Sequence, residues 1–214
     1  MGFFDANEVF FTVPYFDYAM SYLEFFGTLL TLLSVVLVAR RNIWNWPVGI
    51  AGVILFGILF YQIQLYADFF EQIYYFGASV VGWVLWHQVR KDVTVTKLSR
   101  NEWFATIGVC VGGSIAASWF LLNIHTLLPG LFPDPASFAV VDATTTVVSF
   151  TAQFLLVRRK VENWLLWIGV DVVAIWLYWE KDVPFISLLY VCFLCIATYG
   201  YFNYRRKERT GEAA

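Results

Sequence analysis

Charge is scarce in this chain. Asp, Glu, Lys and Arg make up 14% of its 214 residues, against roughly 25% in an ordinary soluble domain, too few to cover a water-facing surface. Histidine is rarer still: His87 and His125 are the two, and the topology derived below puts them at opposite membrane faces. Neither a paired histidine metal site nor a Ser-His-Asp set can then be assembled at one depth. The three cysteines, Cys110, Cys192 and Cys195, fall in apolar runs, where thiols act as small hydrophobes, so no disulfide or metal role is expected. No G-x-x-x-x-G-K-[ST] loop and no G-x-G-x-x-G after a strand occurs, which sets aside ATP hydrolysis and dinucleotide binding. Basic clusters are short and sit at helix ends, so nucleic acid is not an expected partner. Met1 to Asp17 holds no Lys or Arg; a cleaved secretory signal is not expected, and the first apolar helix is retained. The expectation is no enzyme, no cofactor and no metal.

What fills the chain instead is apolar and aromatic: 60% hydrophobic residues, 20% aromatic, mean hydropathy +0.65. That is the composition of an integral membrane protein. Crossing a bilayer takes about 20 apolar residues of helix. Windows of that length predict seven spans: Tyr22 to Ala39, Trp46 to Tyr66, Phe69 to Val89, Trp103 to Asn123, Phe138 to Val157, Asn163 to Trp179 and Pro184 to Tyr204. Pro47 in the first turn of the second and Pro184 at the start of the seventh stand where a missing N–H costs nothing. Runs this long exclude barrel strands, so the class is all-α and polytopic.

Basic residues orient the spans. Arg40 and Arg41 follow the first helix, Arg90, Lys91, Lys97 and Arg100 the third, Arg158, Arg159 and Lys160 the fifth, and Arg205, Arg206, Lys207 and Arg209 the seventh, leaving only Lys181 on the other face. The positive-inside rule makes the first set cytoplasmic, the N-terminus external and the C-terminus internal.

The chain also repeats itself. An offset of 118 residues lays Glu24 on Asp142, Thr28 on Thr146, Thr31 on Ser149, Arg40 and Arg41 on Arg158 and Arg159, Asn45 and Trp46 on Asn163 and Trp164, and Gly82 on Gly200, without a gap. Two parallel three-helix repeats joined by a central linker helix follow, an arrangement that places substrate sites near midplane where the repeats meet. The domains are an extracytoplasmic segment, 1–21, expected to be amphipathic and to lie on the surface; a first three-helix bundle, 22–89; a linker with the central helix, 90–137; a second bundle, 138–204; and a cytoplasmic tail, 205–214.

Polar residues inside spans are costly and tend to face a bundle interior or a cavity. Asp142, Thr146, Ser149 and Gln153 form one stripe of the fifth helix, Glu24, Thr28 and Thr31 repeat it in the first, Asp68, Gln72, Tyr75 and Ser79 do so in the third, and Trp164, Trp167, Asp171 and Tyr178 share a face of the sixth. Asp171 stands halfway along its span, where an unpaired charge costs at least about 2.5 to 3.5 kcal/mol. Other readings compete. Ser and Thr also glue helices together; Gly49, Gly52, Gly57, Gly112 and Gly113 read as packing positions; Trp46, Trp86, Trp164 and Trp179 near helix ends read as interfacial anchors by default. Glu24 and Asp142, near outer helix ends, are candidates for a gate or vestibule. The arginines and Lys160 read chiefly as topology determinants.

The strings "NWPVGIAGVILFGILFYQIQLYAD", "GWVLW" and "RRKVENWLLWIGVDVVAIWLY" resemble the PnuC family of bacterial vitamin transporters, typically for nicotinamide riboside. The resemblance implies two three-helix bundles around a central helix, as in SWEET sugar transporters, a homotrimer in the bacterial inner membrane, and facilitated diffusion with the vitamin trapped by a cytosolic kinase that it need not touch. It carries the family's pocket onto Asn45, Trp46, Asn163, Trp164 and Trp167. Gly49 and Val53 occupy the repeat positions of Trp167 and Asp171, so the halves cannot contribute alike. Because nicotinamide riboside bears a pyridinium charge, Trp167 and Tyr178 are expected to wall the ring and Asp171 to supply negative potential. Asn163, Asn45, Gln153 and Gln72 would bond carboxamide and ribose, with Trp46, Trp164, Tyr75, Ser149 and Thr146 completing the lining. Thiamine, riboflavin or deoxynucleosides are alternative substrates; a channel or a non-transporting ligand sensor are alternatives of other classes.

Overall fold

The computed structural model describes residues 2–13, 18–63, 66–88, 94–128, 130, 138–180 and 184–210. Two short strands, β1 (Val9–Val13) and β2 (Tyr18–Ser21), precede seven helices: α1 (Tyr22–Ala39), α2 (Asn45–Gln62), α3 (Tyr66–Gln88), α4 (Arg100–Leu127), α5 (Ala139–Val157), α6 (Asn163–Glu180) and α7 (Pro184–Thr210). The all-α membrane class and the helix count agree with the sequence. Boundaries differ at a few ends. Helix α7 runs through Tyr204 to Thr210, because the residues taken as a tail are good helix formers.

Five helices, α1, α2, α4, α5 and the Ile186–Thr210 part of α7, are long and apolar enough to cross a membrane. In α3 and α6 the acidic residues, phenols and indoles lower the hydropathy. Large apolar side chains such as Leu29, Ile54, Val81, Ile115, Trp119 and Val172 stand exposed around the outside, the surface a bilayer would cover.

Helices α1, α2 and α3 pack in sequence as one bundle and α5, α6 and α7 as another, while α4 packs on α5. The bundles meet along two seams, α3 against α5 and α1 against α7. The repeat is visible in the backbone. Both α1 and α5 end with an arginine in the left-handed region, Arg41 (φ 58°) and Arg159 (φ 55°). Each terminus closes with the same pair of bonds: Arg41 N–H to Val38 O (2.8 Å) and Asn42 N–H to Leu37 O (2.9 Å), then Arg159 N–H to Leu156 O (2.9 Å) and Lys160 N–H to Leu155 O (2.9 Å). This is the Schellman motif, in which glycine is usual at that position. These turns, with the clusters around Arg158 and Arg205, define the basic end of the molecule.

At the opposite end the N-terminal segment forms an antiparallel hairpin, Val9 paired with Ser21 and Val13 with Tyr18. Phe3 and Phe10 pack on Tyr22 and Phe26 of α1. The Gln62 amide, at the end of α2, donates to Phe4 O (2.6 Å) and accepts from Ala6 N–H (2.8 Å). Pro14 and Asp17 of this segment, Arg90 and Lys91, and Lys181 lie outside the described residues.

Candidate functional site

Each bundle seats a tryptophan on a glycine. The Trp46 indole fills the space above Gly82, where a β-carbon would lie 2.3 Å from the ring, and Trp164 does the same over Gly200 at 2.7 Å. Trp46 meets Trp86 edge-on (5.3 Å, 86°), and Trp164 meets Tyr204 likewise (5.4 Å, 77°). Beside them Asn45 Nδ2 donates to Asn42 O (2.8 Å), and Asn163 Nδ2 donates to Lys160 O in the equivalent bond. Trp46, Trp86 and Trp164 are therefore buried rather than interfacial, Trp46 and Trp164 because a glycine on the facing helix admits the ring; of the four anchors expected, only Trp179 is exposed. Both indole N–H groups and Asn163 Oδ1 are buried without a hydrogen-bond partner among the described residues. Such orphans are rare in native interiors and call for an explanation.

Around these rings the basic end is closed. Val38, Ala39, Trp46 and Trp86 of the first bundle form one core with Leu156, Val157, Trp164, Ala197 and Tyr204 of the second, and Trp167 packs against it. Bonds cross both seams here: Trp86 Nε1 donates to Val157 O (3.2 Å), Tyr204 O–H to Val38 O (3.2 Å) and Asn203 Nδ2 to Ala39 O (2.7 Å). Arg159, read from sequence as a topology determinant, is buried with its guanidinium 4.4 Å from the Trp86 ring centre, and burial lowers its pKa from the ordinary arginine value. Lys160 is tied to Glu102 (3.0 Å).

Beyond this core, acids and phenols gather between the bundles. Thr146 donates to Glu71 Oε1 (2.6 Å), and Tyr74 to Phe150 O (2.8 Å) with its ring 4.1 Å from that of Phe150. Tyr75 faces Ser149 and Glu71. Tyr178 stacks on Tyr190 (5.4 Å, 14°) within electrostatic reach of Asp68, Glu71 and Asp142. Tyr190 is within reach of Asp171, Glu71 and Tyr75. Asp171 is 4% exposed and Gln153 8%, and neither has a hydrogen-bond or ion-pair partner among the described residues. No Lys or Arg occurs anywhere in 42–89, 101–157 or 161–180, so no cation in these stretches neutralises the acids.

The structure thus brings Tyr75, Asp142, Thr146, Ser149, Asp171 and Tyr178 into one region. Asn45, Trp46, Asn163, Trp164 and Trp167 lie at or beside the closed basic end. Gln72 faces the other way, into an apolar groove of about 400 Å³ between α2 and α3 with Ile54, Tyr61 and Phe76. Glu24 is bonded by the Tyr18 hydroxyl, and burial, then Glu24, raises the Tyr18 pKa. Of the glycines, Gly49, Gly52 and Gly113 sit tight against Ser34, Thr31 and Val147, whereas Gly112 has open space around it. Sequence reasoning missed Glu71, Tyr74 and Tyr190. Stepping by four from Asp68 to Gln72 passes over Glu71 at three, although both spacings share a helix face.

The chain matches the family model described as nicotinamide mononucleotide transporter over residues 21–206. It is 30% identical to the nicotinamide riboside transporter PnuC of Escherichia coli (strain K12), over 94% of this chain and 92% of that protein. To the riboflavin/roseoflavin transporter RibM of Streptomyces davaonensis it is 25% identical, over 86% of this chain and 85% of that protein. A crystal structure of the vitamin B3 transporter PnuC superimposes with TM-score 0.69 at 25% identity, covering 89% of this chain and 83% of that one.

Proposed function

From the membership of this chain in the nicotinamide mononucleotide transporter family, we propose that it carries nicotinamide riboside across the bacterial inner membrane by facilitated diffusion, alternating access around the acidic region between its bundles. One observation carries the choice of substrate: Asp171, buried midway along α6 with no hydrogen-bond or ion-pair partner among the described residues, in a region where Tyr178, Tyr190 and further carboxylates gather. An isolated buried carboxylate is costly, and a flat organic cation between phenol faces offsets that cost through charge and cation–π attraction of about 0.5 to 2 kcal/mol per ring. Nicotinamide riboside is such a cation. The mononucleotide in the family's description adds a phosphate, which would sit among acids with no guanidinium beside it. Riboflavin has no charge for Asp171 to meet; thiamine, also a flat cation, is the nearer alternative.

In this reading Tyr178 faces the ring, Tyr75, Thr146, Ser149 and Gln153 bond the ribose or carboxamide, Asp142 flanks the outer approach, and Trp167, about three turns away along α6 beside the basic-end core, meets the substrate when that end parts. The orphaned polar atoms of Asn163, Trp164 and Trp46, with Asn45 beside them, are reached when the basic end parts. Gln72 and Glu24 belong to the substrate's path only if α2 and the hairpin move. The reading further takes the basic end as cytoplasmic, the chain as a homotrimer, and a cytosolic kinase as the sink that sustains uptake; flux then follows the substrate gradient alone. A thermal-shift panel of nicotinamide riboside, its mononucleotide, thiamine and riboflavin tests the substrate, since a ligand stabilises in proportion to ln(1 + [L]/Kd). The riboside should give the largest shift; a larger one from riboflavin or the mononucleotide would overturn the assignment.

A further inference from the structure

The two seams between the bundles are related by the repeat, yet they are built differently. Along α3 and α5 bonds are made at two places: Thr146 to Glu71 (2.6 Å) and, a turn further on, Tyr74 to Phe150 O (2.8 Å) midway along α5, and Trp86 Nε1 to Val157 O (3.2 Å) at the basic end. Along α1 and α7 the bonds among the described residues are those of Tyr204 and Asn203 to Val38 O and Ala39 O, both at the basic end.

The cause is legible in the residues. At the repeat positions of Glu71, Tyr74 and Tyr75, helix α7 carries Leu189, Cys192 and Phe193, none of which can replace a carboxylate or a phenol. Helix α1 does keep polar residues, but they engage its own bundle: Ser34 donates to Asn45 O (2.9 Å), and Thr31 lies against Gly52. Helix α5 is also braced from behind by α4. Val147 fits against Gly113, where a β-carbon would come within 2.9 Å, and Glu102 of α4 reaches Arg158 (3.6 Å) and Lys160 (3.0 Å) just past the end of α5.

We infer that α3 and α5 form a fixed spine and that the bundles part, away from the basic end, along the α1–α7 seam, with Glu71, Tyr74 and Thr146 as the positioning residues that hold the spine. The inference rests on the transport reading for its purpose but not for its test. Packed interfaces switch between discrete arrangements rather than deforming continuously, so a seam bonded both midway and at the basic end stays in register while one bonded at a single end swings about that end. Alternating access then resembles a book, not a symmetric scissor.

The test uses full-length protein in lipid nanodiscs with Cys110, Cys192 and Cys195 replaced by Ser. Nitroxide pairs are placed at exposed positions away from the basic end, Leu29 with Leu188 across α1–α7 and Phe70 with Val140 across α3–α5, and distances are read by pulsed electron resonance. Without any ligand, the Leu29–Leu188 distribution should be at least twice as broad as the Phe70–Val140 one, and Thr146→Val should broaden the latter. Equal widths, a broader spine pair, or no effect of Thr146→Val would overturn the inference. Adding nicotinamide riboside should shift only the α1–α7 pair. If both pairs shift alike the spine is refuted, whereas no shift with either pair leaves the ligand-free result standing and counts against the substrate.

Discussion

An unpaired carboxylate halfway through a membrane helix costs at least about 2.5 to 3.5 kcal/mol, so at the scale of single residues Asp171 needs a use. Its neighbours supply phenol faces and more negative charge, not a counter-ion. Replacing it with Asn keeps the shape and removes the charge. Titration calorimetry in detergent should then show nicotinamide riboside affinity reduced about tenfold or more, equivalent to roughly 1.4 kcal/mol, with the melting temperature of the free protein unchanged or higher because a buried charge is gone. Unchanged affinity would remove the charge from the mechanism. Asp171 was legible in the sequence because a lone acid in an apolar run stands out against composition. Glu71 was not, since a helix face admits steps of three or four and only packing decides which acid meets Thr146.

Among elements, the seating of each tryptophan on the glycine of the facing helix sets how closely the second and third helices of a bundle approach. Gly82→Ala and Gly200→Ala each drive a methyl into a buried indole. Overpacking of this kind costs typically 1 to 3 kcal/mol, and the repeat makes the two losses alike. Thermal unfolding in detergent should show both variants lowered by a similar amount, whereas Gly112→Ala, in open space, should melt as the parent does. The offset of 118 residues already paired Gly82 with Gly200 and Trp46 with Trp164, but not that each indole lies on the glycine of its own bundle. Interfacial anchoring was the natural expectation for rings near helix ends, and burial replaced it because the gap above a glycine is visible only in three dimensions. The hairpin was hidden for a related reason: paired phenylalanines at 3–4 and 10–11 blur the alternation that marks a strand.

For the molecule as a whole, bundles joined by a closed basic end, with acids and phenols gathered between them beyond it, describe a carrier rather than a pore. Uptake into proteoliposomes should saturate with riboside concentration and be indifferent to imposed sodium or proton gradients; linear flux would favour a channel, and acceleration by either gradient would require ion coupling. The decisive comparison isolates charge from shape. Dihydronicotinamide riboside has nearly the outline of nicotinamide riboside but no pyridinium charge. In competition against uptake of labelled nicotinamide riboside, the charged form should inhibit at concentrations at least about tenfold lower than the neutral one, and in Asp171→Asn that preference should collapse. Equal inhibition by the two forms in the unaltered protein would contradict a site that selects its solute by charge.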